Sequence, residues 1–108
     1  NASDAYESFK RKMIVPVKEP NTIADGLKTS LSERTFRIIL EGADKIILVS
    51  EDEIVDAMRL IWERLKVVCE PSCSVPLAAL LKNKEEYKDK KVGIILTGGN
   101  VDVRKLPF

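Results

Sequence analysis

Two short apolar runs, KIILV (Lys45–Val49) and KVGIIL (Lys91–Leu96), alternate with segments of helical periodicity, and this alternation constrains the fold most. Both runs are rich in β-branched residues and bounded by polar ones, so they read as buried strands. Between them, Ser50-x-x-Glu53 forms a capping box. Ile54, Met58, Ile61 and Leu65 follow on one face with Trp62 alongside, which predicts an amphipathic helix of about four turns. Ser30-x-x-Glu33 reads as a further capping box ahead of Phe36, Ile39 and Leu40, and Gly42 ends that helix. Ser74 is the expected cap of another helix, with Pro76 in its first turn and Leu77, Leu80 and Leu81 inward. Residues 3–12 predict a short first helix, with Asp4 and Glu7 in its first turn and Lys10 to Lys12 at its end. Val67–Cys69 reads as a very short strand or as the preceding helix end. The alternation implies an α/β protein of three layers with a mostly parallel sheet. Such a sheet is covered on both faces, so the strands here read as part of a sheet.

Eighteen basic and seventeen acidic residues nearly cancel, which gives no electrostatic case for a nucleic-acid partner. No apolar run approaches the ~18 residues of a membrane span, and NASDAYESFKRK lacks the apolar stretch of a signal peptide. A start at Asn1 without Met suggests a trimmed or cut product. Cys69 and Cys73 stand four apart without histidine to complete a metal site, so two reduced thiols in a cytoplasmic protein are expected.

Four places carry candidate chemistry. Thr97-Gly98-Gly99-Asn100 follows the second apolar run, where α/β proteins bind ligands beyond strand ends. A plain strand-to-loop turn is the alternative. Glu70-Pro71-Ser72 lies between two apolar segments, so Glu70 is either partly buried and partnered or part of an exposed loop. Asp25 in TIADG is either functional or an Asx turn. Asp4 with the Ala2 carbonyl offers hard oxygen ligands for Mg²⁺, Mn²⁺ or Ca²⁺, against the simpler reading of a helix-terminal charge.

In order, NASDAYES, TIADGLKTS, VSEDEIVDAM, EPSCSVPLAALL and ILTGGNVD resemble the serine racemase and serine/threonine dehydratase family over essentially the whole chain. The matched stretch is the C-terminal part of the large domain, with 1–108 as one domain piece. The resemblance implies a fragment of the tryptophan-synthase-β-like fold, a pyridoxal phosphate cofactor and a lyase or racemase reaction. It implies that the Thr97 hydroxyl, where the family usually has Ser, meets the pyridine nitrogen, with Gly98 and Glu70 near the ring. A neutral hydroxyl partner leaves that nitrogen unprotonated, which weakens the electron sink and favours elimination or α-proton chemistry.

The same resemblance assigns Asp25 and Thr29 to the substrate side. It gives Ala2 and Asp4 to a divalent metal whose third ligand, a Glu, would stand three residues before Asn1. Lys66 and Asn100 match a nucleotide site at the dimer interface of animal racemases. Cys73 and Pro76 depart from the small residues the family carries after EPS, which bears on substrate preference. The Schiff-base lysine and the glycine-rich phosphate loop lie upstream in the family, so this chain alone is expected to be inactive. Its expected partners are a complementary N-terminal part, a second copy in a homodimer, a small amino-acid substrate and a nucleotide effector. Two functions follow: a segment of a dehydratase, 3-hydroxyaspartate dehydratase or racemase, or a non-catalytic paralogue that binds a ligand or partner.

Overall fold

The computed structural model describes residues 1–108. Four α-helices are formed: α1 (Asp4–Arg11), α2 (Glu33–Gly42), α3 (Glu51–Leu60) and α4 (Pro71–Lys82). A 3₁₀ turn spans Asp25–Leu27, and a π-helical turn, Ile61–Leu65, extends α3. The chain divides into two compact units, one of Asn1–Thr22 with Gly26–Leu48, the other of Ile23–Asp25 with Val49–Phe108.

In the first unit α1 packs on α2. Asp4 and Glu7 open α1, Lys10 and Arg11 close it, and Glu7 pairs with Arg11 across one turn at 3.2 Å. This order of charges complements the helix dipole. The Ser3 side chain makes no cap bond, and Lys12 ends the helix in the left-handed region at φ 55°. Ser8 is fully buried; its Oγ accepts from the Val15 N–H at 2.9 Å and lies 3.4 Å from the Val15 carbonyl. One hydroxyl thus fastens the extended 13–17 segment to α1. α2 is capped by Ser32, whose Oγ accepts from the Thr35 N–H at 3.2 Å, and not by Ser30. Glu33 is the first helical residue, so it cannot supply the reciprocal bond that a capping box needs from the third position. Gly42 is the last residue of α2, with Ala43 as its cap. Phe36 is buried, Ile39 half-buried and Leu40 exposed.

The second unit holds the larger core. Met58, Ile61, Cys69 and Cys73 are fully buried together, with Trp62, Leu77, Val101 and Leu106 packed around them. The expected Ser50 capping box is present in both directions, with Glu53 N–H to Ser50 Oγ at 3.2 Å and Ser50 N–H to Glu53 Oε2 at 2.7 Å. That second bond holds the Glu53 carboxyl below its ordinary range, helped by Lys82 at 3.2 Å on α4. Of the predicted apolar stripe, Ile54, Met58 and Ile61 are buried, but Leu65 is 61% exposed. Leu65, in the π-helical turn, shares an open apolar groove with Ile61, Leu77, Ile94 and Leu96, and that groove is not covered within this chain.

α4 begins at Pro71 with Glu70 as its N-cap, in place of the expected cap at Ser74. Proline at the first helical position loses no hydrogen bond, which fixes the start there. Ser74 is therefore inside the helix and fully buried; its Oγ lies 2.7 Å from the Pro71 carbonyl and 3.1 Å from that of Ile54. The second contact ties α4 to α3. Pro76 also stands inside α4, where it lacks the donor that would reach the Ser72 carbonyl. At the other end, the Asn83 side chain donates to the Ala79 carbonyl at 2.9 Å. Residues 83–89 form a largely exposed, charged connection after α4.

No β-ladder forms among the 108 residues, so the expected three-layer parallel sheet is not seen. Segments 45–49, 67–69 and 91–96 are neither helix nor strand. A strand exists only as a regular hydrogen-bonded ladder with a neighbour, and no such ladder is formed by these segments. The apolar side chains that a sheet would cover remain outside: Ile95 is 78% exposed and Leu48 43%. No helix is long and apolar enough to cross a membrane.

Candidate functional site

The end of the 91–96 segment meets the start of α4, both within the second unit. The Glu70 N–H donates to the Gly98 carbonyl at 3.1 Å, and the Asn100 N–H donates to Glu70 Oε2 at 3.1 Å. Two backbone stretches far apart in sequence are thereby joined through one residue.

The two glycines of this loop are needed for space, since neither has a positive φ. A Cβ on Gly99 would stand 2.6 Å from the Val68 carbonyl oxygen, a backbone atom that cannot yield. A Cβ on Gly98 would stand 3.1 Å from Glu70 Oε1, the end of a flexible side chain. The loop can lie against Val68–Glu70 because Gly99 has no side chain; a methyl on Gly98 asks a small shift of the Glu70 carboxylate. Thr97, just before them, is exposed.

Trp62 supports the other side of this contact. Its Nε1–H donates to the Cys69 carbonyl at 2.9 Å, and its ring meets that of Phe108 edge-on at 6.1 Å. Arg59 lies over the same Phe108 ring at 5.5 Å. Burial pushes the Cys69 thiol up to about 11, with Cys73 nearby adding to the shift. Both cysteines are buried and unbridged, and the Cys69 thiol stays protonated at neutral pH as a packing group.

Of the candidate residues, Glu70, Gly98 and Asn100 are therefore brought into direct contact. Lys66 is exposed and left-handed, φ 58°, where the π-helical turn ends. Asp25 is exposed and opens the 3₁₀ turn. Ala2, Asp4 and Thr29 belong to the first unit. Asp4 is buried at the start of α1, Ala2 is half-buried and Thr29 is exposed. No group of three metal-ligating side chains is present. Asp4 and the Ala2 carbonyl suit a hard cation in kind, but two oxygens are too few to hold one, since such ions take about six or more. For pyridoxal phosphate the donor chemistry fits in kind: Thr97, an exposed residue, carries a hydroxyl beside a residue with no side chain.

The Val68 carbonyl was not legible as part of this site. The signal for it was the second glycine of the pair, which marks a close backbone approach without naming the partner.

Comparison with known proteins shows the family of the chain. Residues 1–98 match the family described as pyridoxal-phosphate dependent enzyme. The chain is 50% identical to β-hydroxyaspartate dehydratase of Paracoccus denitrificans over 107 residues, covering 99% of this chain and 34% of that protein. It is 52% identical to serine racemase of Dictyostelium discoideum over 112 residues, covering 97% of this chain and 34% of that protein. Its backbone matches the crystal structure of T.th. threonine deaminase with a TM-score of 0.88 at 41% identity, over 94% of this chain and 37% of that one. The chain thus spans about a third of the length of the relatives it matches.

Proposed function

The chain belongs to the pyridoxal-phosphate-dependent enzyme family, and from that premise we propose that it is a segment of the large, cofactor-binding domain of an amino-acid dehydratase (ammonia-lyase) or racemase. The substrate class is a small α-amino acid with a β-hydroxyl. Serine, threonine and 3-hydroxyaspartate share that group, and the relatives named above divide among them. The reading rests on one observation above all: an exposed Thr97 beside a glycine loop that is fastened to Glu70.

When bound, pyridoxal phosphate supplies an electron sink for the bonding electrons of the substrate α-carbon. In this reading the Thr97 hydroxyl holds the ring nitrogen without charging it, which suits β-elimination or α-proton exchange. Gly98 gives the ring a close approach, and Glu70 lies beside the same loop. Asp25 and Thr29 face the substrate. Asp4 and the Ala2 carbonyl contribute part of a divalent-cation site completed elsewhere, and Lys66 with Asn100 contributes to a nucleotide site. The exposed Ile95 and Leu48 support the idea that segments 45–49 and 91–96 become strands of a parallel, three-layer sheet when the rest of the enzyme pairs with them.

The test uses the full-length protein that contains this segment. Ammonia release and racemisation are measured with L-serine, L-threonine and 3-hydroxyaspartate, beside cofactor titrations of Thr97→Ala and Thr97→Ser. Turnover of at least one substrate is expected. Thr97→Ala should weaken cofactor binding about tenfold, the scale of one hydrogen bond to a desolvated group, while Thr97→Ser stays near the parent. Unchanged cofactor binding in Thr97→Ala removes Thr97 from the site. A full-length protein inert toward all three substrates favours a non-catalytic paralogue.

A further inference from the structure

Glu70 occupies the N-cap of α4 and yet makes no side-chain cap bond. A carboxylate at this position ordinarily accepts from the backbone N–H of the second or third helical residue and gains from the helix dipole. Here the third residue, Cys73, bonds the Glu70 main-chain carbonyl at 3.0 Å instead. The side chain turns away to Asn100, whose N–H it accepts at 3.1 Å. Its other oxygen lies beside Gly98, 3.1 Å from where a Cβ would stand. The Glu70 N–H meanwhile holds the Gly98 carbonyl at 3.1 Å. The residue therefore grips both sides of the glycine loop, one with its backbone and one with its carboxylate. Gly99 is packed from below against the Val68 carbonyl.

We propose that Glu70 is a positioning residue, whose carboxylate clasps the Gly98–Asn100 loop and so holds the Thr97 hydroxyl in place for the cofactor. The role rests on the reading that Thr97 meets the cofactor. What Glu70 adds is fixation of the residue that does. A loop hinged at two adjacent glycines has little stiffness of its own, since glycine leaves the most backbone freedom to be lost. A hydrogen bond to a charged acceptor is stronger than a neutral one and suits this task. The clasp needs an acceptor atom and does not need the charge, so a glutamine restores most of it. It also needs the space above Gly98. An added methyl there presses on the carboxylate, 3.1 Å away, and shifts it by a few tenths of an ångström.

The proposal is tested in the full-length holoenzyme with Glu70→Ala, Glu70→Gln, Gly98→Ala, the Glu70→Ala/Gly98→Ala pair and Thr97→Ala as reference. Two quantities are read: protection of the Asn100 backbone amide in hydrogen exchange, and cofactor affinity by titration of its fluorescence. Glu70→Ala should lose Asn100 protection at least about tenfold and weaken cofactor binding severalfold. Glu70→Gln should keep both within about threefold, because a neutral acceptor retains most of one hydrogen bond. Gly98→Ala should lose less than Glu70→Ala, since the carboxylate need only shift slightly, and the double variant should be no worse than Glu70→Ala alone, the signature of a shared interaction. Cofactor binding that falls equally in Glu70→Gln and Glu70→Ala, with Asn100 protection intact, overturns the clasp in favour of a direct role for the charge. Additive losses in the double variant overturn it too. If Thr97→Ala leaves cofactor binding untouched while Asn100 protection still follows Glu70, the clasp stands and the Thr97 reading fails.

Discussion

The two units of this chain are stabilised by different means. The second buries a contiguous apolar cluster, Met58, Ile61, Cys69 and Cys73, each essentially without solvent contact. The first has Phe36 as its buried apolar residue, while Asp4, Ser8 and Thr22 are buried polar groups. Burial of apolar area stabilises without direction, whereas a buried hydroxyl or carboxylate stabilises only through a particular geometry. The comparison teaches where robustness should lie: in the second unit through volume, in the first through a few specific bonds.

Core truncation gives the largest contrast. Met58→Ala should cost about 2–5 kcal/mol, the range for removing a fully buried long side chain. Ser8→Ala in the first unit should cost about 1–2 kcal/mol, the scale of losing one partner of a buried hydrogen bond. Urea unfolding of the full-length protein, with tryptophan fluorescence reporting on Trp62, reads the first, and hydrogen exchange at Val15 reads the second. Equal losses would erase the distinction drawn between the units.

Alkaline titration sharpens the same contrast, because the raised thiol belongs to the second unit. The Cys69 pKa is raised from 9.0 to about 11 in the folded chain, so folding favours the protonated thiol. That contribution is complete below pH 9.0 and is lost as pH rises through about 11. It is worth roughly 1–3 kcal/mol. Thermal melts across this window should fall in the parent and fall less in Cys69→Ala. Parallel curves would show that the thiol does not report on this core. Smaller still is the cap of α3: Ser50→Ala should cost about 1 kcal/mol, a loss that Ser50→Asp largely recovers in melting temperature.

Local signals were legible where the physics is local. Ser50-x-x-Glu53 foretold both bonds of its capping box, and the charges of α1 foretold its ends. The same pattern misled at Ser30, because a capping box needs Glu at the third helical position and the helix starts at Glu33 itself. Ser74 misled as well; its hydroxyl serves the Ile54 carbonyl of another helix, which no local pattern encodes. The extended runs were recognisable by composition, but strandhood depends on neighbours, and this chain provides none in register. At the site, the glycine pair and Glu70 each stood out alone. Their meeting is a contact between residues 70 and 98–100, and spacing along a chain does not reveal which distant loops touch.

The π-helical turn has an implication for sequence change. A π turn is an α-helix that carries one surplus residue. Deleting an exposed residue of this turn, Glu63 or Arg64, removes that surplus and lets the helix close into regular α geometry, with about four residues making the turn that five make now. The chain beyond keeps nearly its present direction, so Val68 can still present its carbonyl to Gly99. A deletion in the regular turns of α3 is different: it rotates everything beyond by about 100° and shifts it by about 1.5 Å, which carries Ile61 and Trp62 out of their places. A single-codon deletion is therefore better absorbed at the π turn than in the regular helix ahead of it.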